Sequence, residues 1–343
     1  MAQTRQLVVA SQNGLETSKP GLMTSVSIRV KEDQHVVRKQ SSLLSAFCPF
    51  RFTSVPEVEQ AYFLSLATTD KNIIAFTQMW DLSARTLADT IREYIEEEGL
   101  MEAVLYWVDL SKNPHMSCKS LGKTLELLSE FQIQGLDLSC NPQLGDNLVA
   151  KIQPLLHAKK SHFTELKLAE CGFTLPGLKW LVKVASTSNL RLLDISHIRI
   201  NNESELLERV LEFPMIEDLG FGFCDLSPAD VHTIAESLPF TCVKSLNLSG
   251  NRFGSKGLVH LASTLPETMV ERLNLKQVGI EAECEGLTEL ARAWVKRPFP
   301  TLNLQMNPMG QDEVMKFIAV LQELRPSETV DETFLGNVEI RCC

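Results

Sequence analysis

The sequence has no run approaching 18 consecutive apolar residues, so no helical membrane span is expected. It has no surplus of positive charge: 33 Lys and Arg stand against 43 Asp and Glu, a formal net charge of −10. A chain with that balance has no global field to gather phosphates, and no nucleic-acid partner is expected. The opening residues, MAQTRQLVVASQNG, lack the long apolar stretch of a secretory signal peptide. There is no Cys-x-x-Cys pair. The nine cysteines (Cys48, Cys118, Cys140, Cys171, Cys224, Cys242, Cys284, Cys342 and Cys343) are odd in number and scattered over 343 residues. That pattern reads as reduced thiols in a cytoplasmic protein rather than a disulfide scaffold. The seven histidines show neither His-x-x-x-His nor His-Glu-x-x-His spacing, and neither a metal nor a cofactor is expected. No Ser-His-Asp or Cys-His set can be assigned from spacing, so the expectation is a protein that is not an enzyme.

What the chain does have is repetition, the property that decides a fold before any other. The frame apolar-x-x-apolar-x-apolar recurs as LYWVDLSKN, IQGLDLSCN, FTELKLAEC, LRLLDISHI, IEDLGFGFC, VKSLNLSGN, VERLNLKQV and FPTLNLQMN. The last residues of these frames are Asn113, Asn141, Cys171, Ile198, Cys224, Asn251, Val278 and Asn307, spaced by 28, 30, 27, 26, 27, 27 and 29 residues. Eight tandem matches are far beyond chance. Alternation with period two inside each frame predicts a strand, with Leu246 and Leu248 inward and Ser245, Asn247 and Ser249 outward. After each turn the apolar spacing changes to i, i+3, i+4, i+7, as at Leu258, Leu261, Ala262 and Leu265, which predicts a helix. One strand–turn–helix unit of about 28 residues cannot bury its own apolar face, and stacking of units does so.

The position of Asn251 is where the strand ends and the chain turns, and an amide there can hydrogen-bond backbone groups of neighbouring turns. Asn113, Asn141, Cys171, Cys224, Asn251 and Asn307 are therefore expected to form a structural ladder. Cys171 and Cys224 suit it as small, weakly polar residues, whereas Ile198 and Val278 cannot make the bond and should weaken it locally.

These frames resemble the leucine-rich repeats of the ribonuclease-inhibitor type, whose long unit, LxxLxLxxN/C followed by a helix, is matched from Leu105 to Leu324. The resemblance implies an α/β solenoid of about 8–9 repeats, a horseshoe with parallel strands on the concave face and helices on the convex face. It implies a cytosolic or nucleoplasmic address as well. Gly220 and Gly222 in the fifth strand and the two apolar ladder positions depart from the most regular members.

The expected organisation is a flexible segment over 1–24, an N-terminal cap over 25–70, the solenoid over 71–326, and a C-terminal cap strand and tail over 327–343. Residues 25–38 read as two short strands around a polar turn, and 43–52 are apolar enough to cover a first repeat. Residues 71–79 suggest a degenerate first strand with Ile74 and Phe76 inward, followed by a helix over 83–98.

Two motifs compete with the repeat reading. SCKSLGKT (117–124) differs from a phosphate-binding loop only in its first residue, yet it is in phase with the repeats, where Leu121, Leu125 and Leu128 are core positions of a helix. The terminal Cys342-Cys343 pair is not a prenylation box of the usual kind, and lipidation is not expected.

The outward strand positions are the candidate binding surface: Trp107, Asp109, Asp137, Glu165, Asp194, Asp218, Asn247, Arg272, Asn274, Lys276 and Asn303. Over the first five repeats the acids outnumber the single Lys167, while Arg272 and Lys276 mark the C-terminal part with no acid near them along the list of outward residues. Trp107 and Leu192 are apolar residues on a face that should be wet, and exposed aromatics serve as binding anchors. The expected function is a scaffold-like protein–protein interaction module binding a protein partner through this face. Two rival readings are a regulator of a small GTPase, which the absence of the acidic C-terminal segment of such repeat proteins disfavours, and a bacterial effector acting in the host cytosol.

Overall fold

The computed structural model describes residues 104–129, 131–157, 162–280, 285–298 and 301–308, with separate short pieces at 8–10, 26–29, 73–75, 92, 317, 319–320 and 339–342. The apolar stretch 43–52, most of the helix expected over 83–98, the second strand of 25–38 and Cys343 lie outside the described residues.

The chain divides into two compact units. The first comprises 35–198 and 212–216, and the second 1–34, 199–211 and 217–343.

In chain order the strands are β1 (Val8–Ala10), β2 (Val26–Arg29), β3 (Ile73–Ala75), β4 (Val104–Asp109), β5 (Gln132–Asp137), β6 (Glu165–Lys167), β7 (Leu192–Asp194), β8 (Asp218–Gly220), β9 (Ser245–Asn247), β10 (Arg272–Asn274), β11 (Thr301–Asn303) and β12 (Glu339–Cys342). The helices are α1 (Cys118–Leu128), α2 (Leu148–His157), α3 (Leu175–Ala185), α4 (Ser204–Leu211), α5 (Pro228–Ser237), α6 (Gly254–Thr264) and α7 (Glu285–Lys296). The eight repeat frames fall on β4 to β11, as the sequence predicts.

In the first unit, β3 to β7 run parallel in sequence order. Their register aligns Trp107, Gly135, Glu165 and Leu192 in one cross-strand row, and Asp109, Asp137, Lys167 and Asp194 in the next. In the second unit, β8 to β12 run parallel, with Asp218, Ser245, Arg272 and Thr301 in one row and Gly220, Asn247, Asn274 and Asn303 in the other. The strand β2 pairs antiparallel with β12 and with β1.

The core is the inward row of each strand. Val108, Leu136, Leu166 and Leu193 in the first unit are fully buried, as are Leu219, Leu246, Leu273 and Leu302 in the second to within 2%. A second inward row (Leu110, Leu138, Leu168 and Ile195; then Phe221, Leu248, Leu275 and Leu304) is buried equally well. Each such side chain contributes about 1.5–3 kcal/mol on burial, and it meets its counterparts one repeat away, so stability is inter-repeat.

Helix ends follow local chemistry. Pro228 opens α5, and Ser227 with Asp230 forms a reciprocal capping box. Pro239 and Pro266 cannot donate an N–H within a helix, and after α5 and α6 the chain tightens into single 3-10 turns, Leu238–Phe240 and Leu265–Glu267. The stretch 118–124 that resembles a phosphate loop is the start of α1, with Leu121, Leu125 and Leu128 buried.

The turn after each strand uses one backbone device. The residue immediately before each ladder position has positive φ: Lys112 (58°), Cys140 (60°), Glu170 (57°), His197 (65°), Phe223 (54°), Gly250 (71°), Gln277 (57°) and Met306 (58°). Seven of these eight are not glycine, so seven repeats hold a left-handed residue at a cost of about 1–2 kcal/mol, which the surrounding hydrogen bonds offset.

Candidate functional site

Those hydrogen bonds come from the ladder. The Asn251 amide nitrogen donates to the Leu248 carbonyl of its own turn at 2.8 Å and to the Phe221 carbonyl one repeat upstream at 2.7 Å. Its amide oxygen accepts the Cys224 and Leu226 backbone N–H groups at 2.9 and 3.0 Å. Asn307 repeats this pattern with Leu304, Leu275, Val278 and Ile280 at 2.8–3.1 Å. In the first unit, Asn141 donates to Leu138 and Leu110 at 2.6 and 3.0 Å and accepts the Asn113 N–H at 2.8 Å. Asn113 donates to the Leu110 carbonyl at 2.8 Å. Cys171 makes the cross-repeat bond with sulfur, from Sγ to the Leu138 carbonyl at 3.0 Å, and Cys224 donates within its own turn to Gly222 at 3.4 Å. All six side chains are buried, and burial pushes the Cys171 thiol far above the usual range.

The outward strand residues carry a second, shorter ladder. The Asp109 carboxylate accepts the Ser111 backbone N–H at 2.9 Å, Asp137 that of Ser139 at 2.9 Å, and Asp194 that of Ser196 at 3.0 Å. Asn247 does the same for Ser249 at 3.1 Å, Asn274 for Lys276 at 3.1 Å and Asn303 for Gln305 at 3.0 Å. One oxygen of each side chain is thus committed to the backbone two residues on. This role was not recognised in the sequence, although Asp or Asn at the same frame position in six of eight repeats is its visible signal. Lys167 and Gly220 fill that position in the other two.

Lys167 uses the difference. From β6 its ammonium reaches Asp137 Oδ2 on β5 at 3.8 Å and lies 4.8 Å from the centre of the Trp107 ring on β4. The residue between Trp107 and Glu165 in the register is Gly135, which puts no side chain in the way. Glu165 accepts a hydrogen bond from the Gln134 amide at 3.3 Å. Burial raises the Asp137 carboxyl above its ordinary value; the Ser139 bonds and Lys167 pull it down, and the neighbouring Asp109 adds to the rise. Trp107, Asp109, Asp137, Glu165, Leu192 and Asp194 are half-buried on one face of the first unit.

The second unit corrects one expectation. Arg272 is not remote from acids: its Nη2 lies 2.8 Å from Asp218 Oδ1, two strands away. Both residues align with Ser245 on the intervening strand, whose short side chain leaves the path clear. Asp218 and Arg272 therefore neutralise one another on the outward side of the second unit. Lys276, Asn247, Asn274 and Asn303 are half-buried on the outward side of the second unit.

Among the described residues, no group of three His, Cys, Asp or Glu side chains could hold a metal ion, and no helix is long and apolar enough to cross a membrane. The described cysteines, Cys118, Cys140, Cys171, Cys224 and Cys242, are free thiols.

A leucine-rich repeat family model matches residues 241–262. The chain is 28% identical over 228 residues to mouse NACHT, LRR and PYD domains-containing protein 5, a match covering 63% of this chain and 19% of that protein. It is 29% identical over 205 residues to pig ribonuclease inhibitor, covering 57% of this chain and 44% of the inhibitor. The chain thus matches less than half the length of either curated relative. Among solved structures, one from the yeast Rad7–Elc1 complex matches 71% of this chain and 81% of its own, at 11% identity and a TM-score of 0.37.

Proposed function

This chain is a leucine-rich repeat protein of the long-unit, ribonuclease-inhibitor-like type, and from that premise we propose that it is a non-enzymatic, cytosolic module that binds a protein partner on the strand face of its first unit. Repeat proteins of this kind generally mediate protein–protein interaction, because stacked units offer an extended surface that no single domain of equal length provides. The observation that carries the reading is the composition of that surface. Trp107 stands outward among Asp109, Asp137, Glu165 and Asp194, with Lys167 the single cation in these two cross-strand rows. Half-buried aromatics anchor interfaces, and a surface of one sign steers an oppositely charged partner. The pig relative gives support, since its name makes another protein, ribonuclease, its target.

The test uses substitutions that the chain itself provides. Asn247, Asn274 and Asn303 hold the backbone bond that Asp109, Asp137 and Asp194 hold elsewhere. Asp109→Asn, Asp137→Asn and Asp194→Asn together remove three charges and keep the acceptor oxygen. Affinity capture from lysate, followed by mass spectrometry, should lose its specific partner with this variant.

A further inference from the structure

The strand face of the first unit also identifies what kind of side chain it takes. In the row Asp109, Asp137, Lys167, Asp194, one cation stands between acids. Lys167 turns away from Asp194 and extends over β5 toward Asp137 and Trp107. Gly135 puts no side chain between Trp107 and Glu165 in the register, and the Lys167 ammonium lies 4.8 Å from the centre of the Trp107 ring.

The fit is loose at both ends. A charge-assisted bond of full strength has its heavy atoms about 2.7–2.9 Å apart, whereas Lys167 Nζ stays 3.8 Å from Asp137 Oδ2. The Asp137 side chain is only 14% exposed, so its second oxygen has little water to replace a partner. An ammonium is a compact, strongly hydrated charge. A guanidinium is flat, weakly hydrated and forked, so it can stack on an indole while its N–H groups bond a carboxylate. Asp109, next to Asp137 in the register, offers a second acceptor.

The geometry points to an arginine side chain of the partner protein as the occupant of the Trp107–Gly135–Asp137 site, with Lys167 as the internal cation that it displaces. This rests on the protein-binding reading above and supplies its chemistry. Lys167 then acts as a competitor held in place by the fold: it keeps the indole and the half-buried carboxylate partnered until a better-matched group arrives.

The probe is a blocked, fluorescein-labelled peptide carrying three arginines separated by glycines, with a lysine twin, titrated into the full chain and read by anisotropy. The arginine peptide is expected to bind about threefold or more tightly than the lysine peptide, the margin set by stacking and forked bonding. Lys167→Met keeps the stem and removes the charge, and should tighten arginine-peptide binding about five- to tenfold. Lys256→Met, the same charge change on α6, controls for net charge and should alter binding less than about twofold. Trp107→Leu should weaken binding about fivefold or more, with melting curves confirming that the variant is folded.

Equal affinity for the two peptides, or no gain with Lys167→Met beyond the Lys256→Met control, overturns the assignment. If the triple Asp→Asn variant loses a captured protein while the peptides fail to discriminate, the binding face stands and the arginine site falls. If the peptides discriminate and Lys167→Met tightens binding, the arginine site stands whatever the lysate yields.

Discussion

The side-chain amide of Asn251 donates a 2.7 Å hydrogen bond to the carbonyl of Phe221, thirty residues earlier and one repeat upstream. That bond joins two turns whose strands are already paired, and it sits at the point where each chain leaves the sheet. With its two accepted N–H groups, its bond to Leu248 and a longer one to Ser249, Asn251 serves five backbone groups in a fully buried position. Replacing it with Ala leaves those groups without partners, which costs about 1–3 kcal/mol. Urea or thermal unfolding of Asn251→Ala should show this loss. Ser263→Ala, which removes an exposed bond to His260, should stay within about 0.5 kcal/mol of wild type.

Gly250 tests the turn itself. Its φ is +71°, and a Cβ there would lie 2.4 Å from ring atoms of Phe223. The other repeats accept side chains at the same φ, so the constraint at Gly250 is the ring above it as much as the backbone. Gly250→Ala should therefore destabilise by at least about 1 kcal/mol, more than Gln277→Ala in the following repeat, where a side chain is already tolerated. Equal unfolding midpoints for the two variants would show that Phe223 does not restrict the site.

Asp137 makes a pH-dependent prediction. Burial raises its carboxyl above the ordinary 3.8, so between 3.8 and that raised value the native state holds more protons than the unfolded chain. Stability then falls as pH rises through that window, because the charged form is the one disfavoured by the fold. Asp137→Asn has no charge to bury and keeps an oxygen for Ser139. Relative to wild type, its melting temperature should improve as pH is raised from the ordinary 3.8 through the raised value. A difference that stays constant across this range, or runs the opposite way, would assign the carboxyl a different environment.

The solenoid was legible in the sequence because period and pattern act through the same side chains that make the core. Leu246 and Leu248 alternate inward in the sequence and are buried in the fold. The left-handed row was not legible. Lys112, Cys140, Glu170, His197, Phe223, Gln277 and Met306 share no chemistry, and what they share is a backbone angle. Only Gly250 hints at it. The long-reaching pairs were hidden for another reason. Arg272 meets Asp218 across a strand whose residue in the register is small, Ser245, while Lys167 reaches Trp107 diagonally, from the row of Asp137 to the row of Gly135. Listing outward residues strand by strand gives charge without reach, and so Arg272 looked unpaired. The short Asp and Asn ladder was visible as letters, but its acceptor bond to the residue two positions on depends on how the strand ends.

In the proposed role, the acidic strand face of the first unit holds a protein partner. The most direct measurement is the affinity of that partner, once captured, for wild type and for the Asp109→Asn, Asp137→Asn, Asp194→Asn variant across a salt series. With the backbone bonds preserved, the variant should melt within a few degrees of wild type, bind about tenfold or more weakly at low salt, and lose most of its salt dependence. A folded variant that binds the partner with unchanged affinity and unchanged salt dependence would place the interface elsewhere on the molecule.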